Sequence, residues 1–328
     1  MPARVTQDRI LGALLGMAIG DAMGMPVAGW TAAQIRQRLG RVTTYHRRVF
    51  ADGVEIKPGE FTDESEIALC IVESITTNQG AVDPDNIGAR MLFLARGESK
   101  RWMGAETRAA LARSEESMNF VVALDEDGSA TGDVAARGIP IGLLHAGGTG
   151  NLTRLRHDAE AVTRITHGSP VAIAATTAVA HGLVLAAGTD APATEWLSGT
   201  GAFVGVGSVA AALAATSRRL AAGDSADTAI AEAGIDDTAG AVVAGAFAAA
   251  RAARFEDAVE AAVNSGGAAD SRAAIAGALA GARFGASAIP QRLIDDLEGR
   301  IYLSLAAPWF HRTVMMRSEG VVRLDPRE

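Results

Sequence analysis

Gln7-Asp8-Arg9-Ile10-Leu11-Gly12-Ala13-Leu14-Leu15-Gly16-Met17-Ala18-Ile19 decides the fold. Ile10, Leu14 and Met17 recur at spacings of four and three, the stripe of an α-helix rather than the alternation of a strand. The same period returns down the chain. Glu64–Ile75 carries Ile67, Ile71 and Ile75, and Asn86–Ala95 carries Ile87, Met91 and Leu94. Pro170–Ala187 is nearly all apolar and has Pro170 at a first-turn position, which marks a central buried helix. Further helices are expected at Thr153–Ile165, Val206–Ala221, Asp237–Ala250, Phe255–Val263, Ser271–Phe284 and Gln291–Glu298. Arg41–Tyr45 and Val121–Leu124 are the only short strand candidates, and neither alternates cleanly. The expectation is an all-α fold.

The punctuation between these helices is short. Gly147–Asn151 and Gly199–Gly207 read as loops, and no linker divides the 328 residues, so a single domain over 1–328 is expected. Aromatic residues make up only 5% of the chain while it holds 37 glycines. A core poor in rings must gain its burial from close contacts between small side chains. Gly277 and Gly281 sit four apart on one helix face, where they let a neighbouring backbone approach. Ile275 and Leu279 mark the apolar side next to them.

The formal charge of −8 argues against a grip on nucleic-acid phosphates or anionic lipid. The apolar run Ile10–Ile19 is short of the ~20 residues that cross a bilayer, and no basic flank with a cleavage site precedes it. A cytoplasmic protein bound to neither nucleic-acid backbone nor membrane is expected. The single cysteine, Cys70, rules out an internal disulfide and reads as a small buried hydrophobe.

Two helix starts carry oxygen-rich chemistry. In Thr62-Asp63-Glu64-Ser65-Glu66, Asp63 as N-cap with Glu66 at N3 would form a capping box. A carboxylate at a helix N-terminus also faces the positive end of the dipole, which keeps it ionised and fixed in direction. Ala268-Ala269-Asp270-Ser271 begins a second helix in the same way. Carboxylate and hydroxyl oxygens brought together from the two starts suit magnesium, whereas zinc prefers nitrogen and sulfur. Asp236-Asp237-Thr238 looks similar and reads as a helix cap. Asp21 reads as a structural tie from the end of its helix to a neighbour. Tyr45-His46-Arg47-Arg48 is a small basic patch that could meet phosphate or lie solvated in a loop.

The chain resembles the ADP-ribosylglycohydrolase family over about residues 8–300, with 301–328 as a C-terminal extension. Gly12 through Pro26 is similar to that family's N-terminal signature. Thr62-Asp63-Glu64-Ser65 falls where the family has Thr-Asp-Asp-Thr. Arg137-Gly138-Ile139-Pro140-Ile141-Gly142-Leu143, Ile165-Thr166-His167, and the block from Ala262 through Gly285 to Ile289-Pro290 follow in the family's order. The resemblance implies an orthogonal multi-helix bundle that cleaves an N- or O-glycosidic bond at ribose C1, usually with two magnesium ions. It also implies metal ligands at Thr62, Asp63, Glu64, Asp270 and Ser271, with Asp63, Glu64 and Asp270 as the catalytic carboxylates. Gly132 and Asp133 fall where the family has a ligand-contacting glycine and asparagine, and Asp133 also reads as an N-cap. His167 reads either as a substrate contact or catalytic group or as a structural hydrogen bond at the Thr-His turn. The implied partner is a ribose-containing small molecule or an ADP-ribosylated protein.

Three departures change that expectation. The family's glutamate after Gly-x-Pro-x is Ala28, and the first aspartate of its Asp-x-Asp pair is Ala268. Glu64 replaces an aspartate and moves the charge by roughly 1.5 Å on ordinary bond lengths. Magnesium tolerates geometric error poorly, so one ion or none is expected rather than two. Arg272 follows Ser271 directly and could set a cation near the site. A hydrolase of ribosyl glycosidic bonds, of ADP-ribosyl or nucleoside type, is the leading expectation. The alternatives are a non-catalytic relative that binds an ADP-ribose-like ligand, and a helical scaffold with no site.

Overall fold

A computed structural model describes residues 5–117, 119–148, 151–205, 207–224 and 238–318. The first helix, α1 (Gln7–Gly24), is capped by the Thr6 side chain, which accepts from the Arg9 amide. It is followed by α2 (Ala32–Leu39), a two-stranded antiparallel hairpin of β1 (Arg48–Val49) and β2 (Glu55–Ile56), α3 (Asp63–Thr77), α4 (Pro84–Arg96) and α5 (Ala105–Ser117). Next come α6 (Gly138–Ala146), α7 (Leu152–Thr163), α8 (Pro170–Gly188), α9 (Trp196–Val204) and α10 (Ser208–Ala222). The described chain ends with α11 (Thr238–Arg251), α12 (Phe255–Asn264), α13 (Ala269–Phe284), α14 (Gln291–Asp295) and α15 (Arg300–Ser318). The all-α expectation holds, with one two-stranded hairpin as the only sheet among the described residues.

The main packing contact is α1 against α13, and its register is antiparallel. A Cβ built on Gly12, Gly16, Gly20 or Gly24 would strike the backbone carbonyl of Gly281, Gly277, Ala273 or Ala269 in turn. One helix thus presents a bare backbone to the other every four residues. The sequence showed the Gly277–Gly281 half of this contact, and α1 supplies the other half. Ile275 and Leu279 are buried beside it. At the end of α12, Gly266 and Gly267 adopt positive φ (74° and 68°) to turn the chain into α13. That turn is clipped to the segment after α1: Gly29 N donates to Gly267 O, and Gly267 N donates to Trp30 O, both at 2.9 Å.

Helix α15 closes the bundle with Leu303, Ala307, Phe310 and Val314 fully buried. Its end is tied down by a buried carboxylate. Asp158 accepts from Arg317 (3.0 Å), Arg154 (2.9 Å) and the His145 ring (2.9 Å). Burial alone would push the Asp158 carboxyl up, but the His145 and Arg317 hydrogen bonds and the surrounding cations bring it down to about 2. Cys70 is buried as expected, and burial pushes its thiol up to about 12.

Several expectations need correction. Arg41–Tyr45 and Val121–Leu124 are not strands, and the real hairpin at 48–56 was missed because strands of two residues show no alternation. Gly199 and Gly201 lie inside α9 rather than in a loop, because the apolar residues around them bury Trp196 and Leu197. Gln291–Glu298 is helical only to Asp295. The Asp63/Glu66 capping box does not form. Thr62 is the N-cap, Asp63 is the first helical residue, and Glu66 accepts from Ser99 Oγ instead. In Asp236-Asp237-Thr238, the two aspartates lie outside the described residues. The length argument against a membrane span also fails, since Gln7–Val27 and Pro170–Gly188 are long and apolar enough to cross a bilayer. Most of each window is buried against protein, 89% and 72%, as in the core helices of a bundle.

Three substitutions probe the packing and the clasp. Gly277→Ala forces the Gly16 backbone away and should cost about 3 kcal/mol or more in urea unfolding. Gly199→Ala meets only ordinary contact at 3.5 Å from Leu185, so it should be neutral or stabilise by up to about 1 kcal/mol. Asp158→Asn tests the clasp through pH. Its folded value lies below the ordinary 3.8, so its contribution is present above that value and is lost as pH falls toward 2. The variant should lose about 2–3 kcal/mol at pH 7, and the deficit should shrink between pH 4 and pH 2.

Candidate active site

The end of α1 meets the starts of α3 and α13, and the antiparallel register of α1 on α13 sets that meeting. Asp21, one turn from the end of α1, has no exposed surface. Its Oδ2 accepts from the amides of Thr62 (2.9 Å) and Ser65 (3.2 Å) and from Ser65 Oγ (2.6 Å), while Oδ1 accepts from Thr62 Oγ (2.8 Å). Amides of the N-cap and N3 residues normally look for a local side chain. Here a carboxylate from another helix fills both. Burial raises the Asp21 pKa, and these four hydrogen bonds oppose the rise.

Because Asp21 caps α3, Asp63 and Glu64 are free of capping duty. Both are 4% exposed. Asp63 Oδ2 and Glu64 Oε2 are buried and have no hydrogen-bond partner. Glu64 Oε1 accepts from Ser271 Oγ at 2.5 Å, which links the starts of α3 and α13. Asp270 stands in the first turn of α13. Burial holds Asp63 well above the usual carboxylate range, and the negative charges of Asp133, Asp21 and Asp270 add to it, with Arg137 opposing. Glu64 is raised by burial and by Asp270 and Asp21, against the Ser271 hydrogen bond. Asp270 is raised to about 6 by burial and by Asp21, while backbone amides at the start of α13 pull it back. The residues named from the two motifs therefore share one electrostatic environment.

The remaining named residues border it. Gly132 lies against Ser271, close enough that a Cβ would crowd the Ser271 hydroxyl. Asp133 accepts from the Thr131 hydroxyl through Oδ1, and its Oδ2 is buried without a partner. His167 is fully buried. Thr166 Oγ accepts from Arg137 Nη1 (2.6 Å) and sits 2.7 Å from His167 Nδ1, so its one proton goes to Nδ1. The ring proton is then on Nε2, which faces Glu106 at 3.8 Å. Burial and the Arg137 charge lower His167 to about 4, so it is neutral at pH 7. A cavity of about 400 Å³ opens beside this pair, lined by Glu106, Arg113, Asp125, Thr166 and Gly168.

Two features were missed in the sequence. Arg137 was quoted for its motif but given no role. It is 1% exposed, bonds Thr166 and Thr107, and is the buried cation facing Asp63 and Asp133. The buried Asp21 was read as a tie, but its function as the cap of α3 was not. Thr62, expected to be a ligand, uses its hydroxyl proton on Asp21. Arg272 Nη1 donates to Ser265 Oγ (3.2 Å), on the side of the Gly266–Gly267 turn. Tyr45 is not part of a solvated basic patch. It is buried, and its hydroxyl donates to Leu293 O at 2.6 Å.

The donor set is all oxygen, which suits a hard cation. Unpartnered buried oxygens on Asp63, Glu64 and Asp133 fit a positive occupant, yet among the described residues no three acidic, histidine or cysteine side chains close into a cage.

The family is fixed by comparison. A sequence profile described as ADP-ribosylglycohydrolase matches residues 2–319. An uncharacterised protein of Archaeoglobus fulgidus is 30% identical over 301 residues, covering 90% of this chain and 94% of that protein. The ADP-ribosyl-[dinitrogen reductase] glycohydrolase of Rhodospirillum rubrum is 30% identical over 169 residues, 51% of this chain and 54% of that enzyme. A solved structure described as an ADP-ribosylglycohydrolase-related protein complex superposes with a TM-score of 0.68 at 30% identity, covering 94% of this chain and 99% of that one. The chain belongs to the ADP-ribosylglycohydrolase family, and thereby to the glycosidic-bond hydrolases.

The crowding of carboxyls has a measurable cost. Asp270 has a folded value of about 6 against an ordinary 3.8, so the fold loses stability as pH rises through that interval. In EDTA at pH 8, Asp270→Asn should be more stable than the parent by about 2–3 kcal/mol in urea unfolding, and the gain should vanish below pH 4.

Proposed function

We propose that the protein hydrolyses the N- or O-glycosidic bond at ribose C1 of an ADP-ribosyl-type substrate, with Asp63, Glu64 and Asp270 as the working carboxylates. The observation that carries this reading is the pair of unpartnered buried oxygens on Asp63 and Glu64, held beside Asp270 at the meeting of two helix starts. Cleavage at C1 builds positive charge on the ribose ring, and fixed carboxylates stabilise that charge without having to reorganise. Asp63, held by the first turn of α3, faces the developing charge. Asp270 accepts a proton from the attacking water as the bond from C1 to the leaving nitrogen or oxygen breaks, and returns it to that departing group, a task for a carboxylate. Ser271 orients Glu64 through their hydrogen bond, and Arg137 keeps the buried negative charge tolerable. Asp63 and Asp270 would hold one magnesium ion, which supplies Lewis-acid polarisation of oxygen when bound.

A second reading, a relative that binds the ligand without turning it over, is favoured by Ala28 and Ala268, which offer no carboxylate. Release of ADP-ribose or ribose from ADP-ribosylated peptides and from a nucleoside panel, with Mg²⁺ or with EDTA, separates the two. The hydrolase reading expects release that Asp63→Asn reduces at least 100-fold. Calorimetric binding of ADP-ribose with no release from any substrate would establish the second reading. If one ion is held, Mg²⁺ should raise the melting temperature of the parent and leave that of Asp63→Asn unchanged.

A further inference from the structure

We propose that the outer face of α15 is a self-association surface, on which a second copy of this chain packs its own α15 antiparallel about a two-fold axis at Leu305. The inference is independent of the hydrolase reading. A helix at the edge of a bundle normally turns a polar face to water. Helix α15 does not. Leu303, Ala307, Phe310 and Val314 bury one side of it, yet Ile301, Leu305 and Trp309 stand four apart on the other and are 69%, 65% and 62% exposed. Tyr302 and Met316 are 40% and 41% exposed. At 3.6 residues per turn, these five fall within a sector of about 100°. Among the described residues they are five of the ten large apolar side chains left exposed, so the exposure is concentrated on one face. A sixth, Phe93 of α4, is 77% exposed and lines the same cavity of about 640 Å³ as Tyr302, which joins stripe and cavity rim into one patch. At these exposures the six side chains offer roughly 700 Å². That exceeds the largest apolar patch of a typical monomer and approaches the ~800 Å² that each partner gives to a standard interface.

Two features favour a second copy over a different partner. The first is the order of residues along the stripe. In an antiparallel helix pair crossing at about 20°, residues equally far from the two-fold axis face each other. With Leu305 on the axis, it meets its own copy, Ile301 meets the partner's Trp309, and Tyr302 meets the partner's Pro308. Each apolar residue lands on an apolar one. The second feature is charge. Arg312 is exposed and, among the described residues, has no carboxylate partner, and α15 carries no acidic residue of its own. Arg312 comes seven residues after Leu305, and Glu298, exposed in the turn that leads into α15, comes seven residues before it. The two-fold therefore brings each Arg312 toward the partner's Glu298, once on either side of the axis. An unrelated partner would have to supply both the apolar ridge and the acid at the same spacing.

Sedimentation equilibrium of the full chain at micromolar concentrations tests the surface. The parent should have twice the mass of one chain. Leu305→Arg alters an exposed side chain, so helical content should not change, but the mass should fall to that of one chain because like charges then meet on the axis. Arg312→Glu and Glu298→Arg should each weaken the dimer at least tenfold, and the double variant, which exchanges the two charges across the interface, should return to within about threefold of the parent. A monomeric parent would overturn the inference, and if it dimerises once residues 319–328 are removed, the occupant of the face is the chain's own end. A dimer that survives Leu305→Arg places the interface elsewhere. A double variant no tighter than the single ones rules out the two-fold at Leu305.

Discussion

Two helix backbones pack directly on one another, and the rest of the structure is arranged around that contact. Along α1 and α13, a glycine or alanine every fourth residue lets carbonyls and Cα atoms touch where most helix pairs interpose side chains. Small residues forfeit little side-chain entropy and gain dense dispersion contacts in return. The contact also fixes register. Because Gly12 meets Gly281 and Gly24 meets Ala269, sliding by one residue would place a Cβ inside a carbonyl. The last turn of α1 is therefore pinned to the first turn of α13, and Asp21 comes to lie near Asp270 without any direct bond between them.

From that pinning the site follows in order. Asp21 reaches the start of α3 and satisfies amides that Asp63 would otherwise cap. Asp63 and Glu64 then lie buried with oxygen atoms unmatched, an arrangement that destabilises the fold and that a structural role would not require. Buried, unpartnered carboxyl oxygens with strongly raised pKa values mark a candidate functional site rather than a structural tie. The Asp158 clasp at the other end of the chain is the contrast. It is equally buried, but three donors meet it, and its pKa moves in the opposite direction.

Most helices could be read from the sequence because a four-and-three apolar spacing is a local property. Gly277 and Gly281 even announced a close backbone neighbour. The carboxylates of the two helix starts were also legible, as was their shared environment. What could not be read depended on partners distant in sequence. The capping box at Asp63 is sound local chemistry, but Asp21, 41 residues before Thr62, supplies a stronger acceptor. Arg137 looked like part of a motif, and nothing local showed that it would be fully buried between two threonines and two carboxylates. The hairpin at 48–56 was invisible for a different reason. Its strands are two residues long, and it is held in part by Arg48 lying against Trp30 and Phe50.

The two alanines that set this chain apart from its family pattern have different consequences. Ala268 is the N-cap residue of α13 and has no side-chain cap bond, so the first amides of that helix turn to the Asp270 carboxylate. That substitution constrains the remaining carboxylate, which must act as both cap and site residue. Ala28 lies in the segment between α1 and α2, where its backbone carbonyl accepts from Arg48 Nη1 at 2.8 Å. Neither alanine brings a side-chain oxygen to the meeting of the helix starts, so the negative charge there rests on Asp21, Asp63, Glu64, Asp133 and Asp270, which together raise the pKa values of Asp63, Glu64 and Asp270.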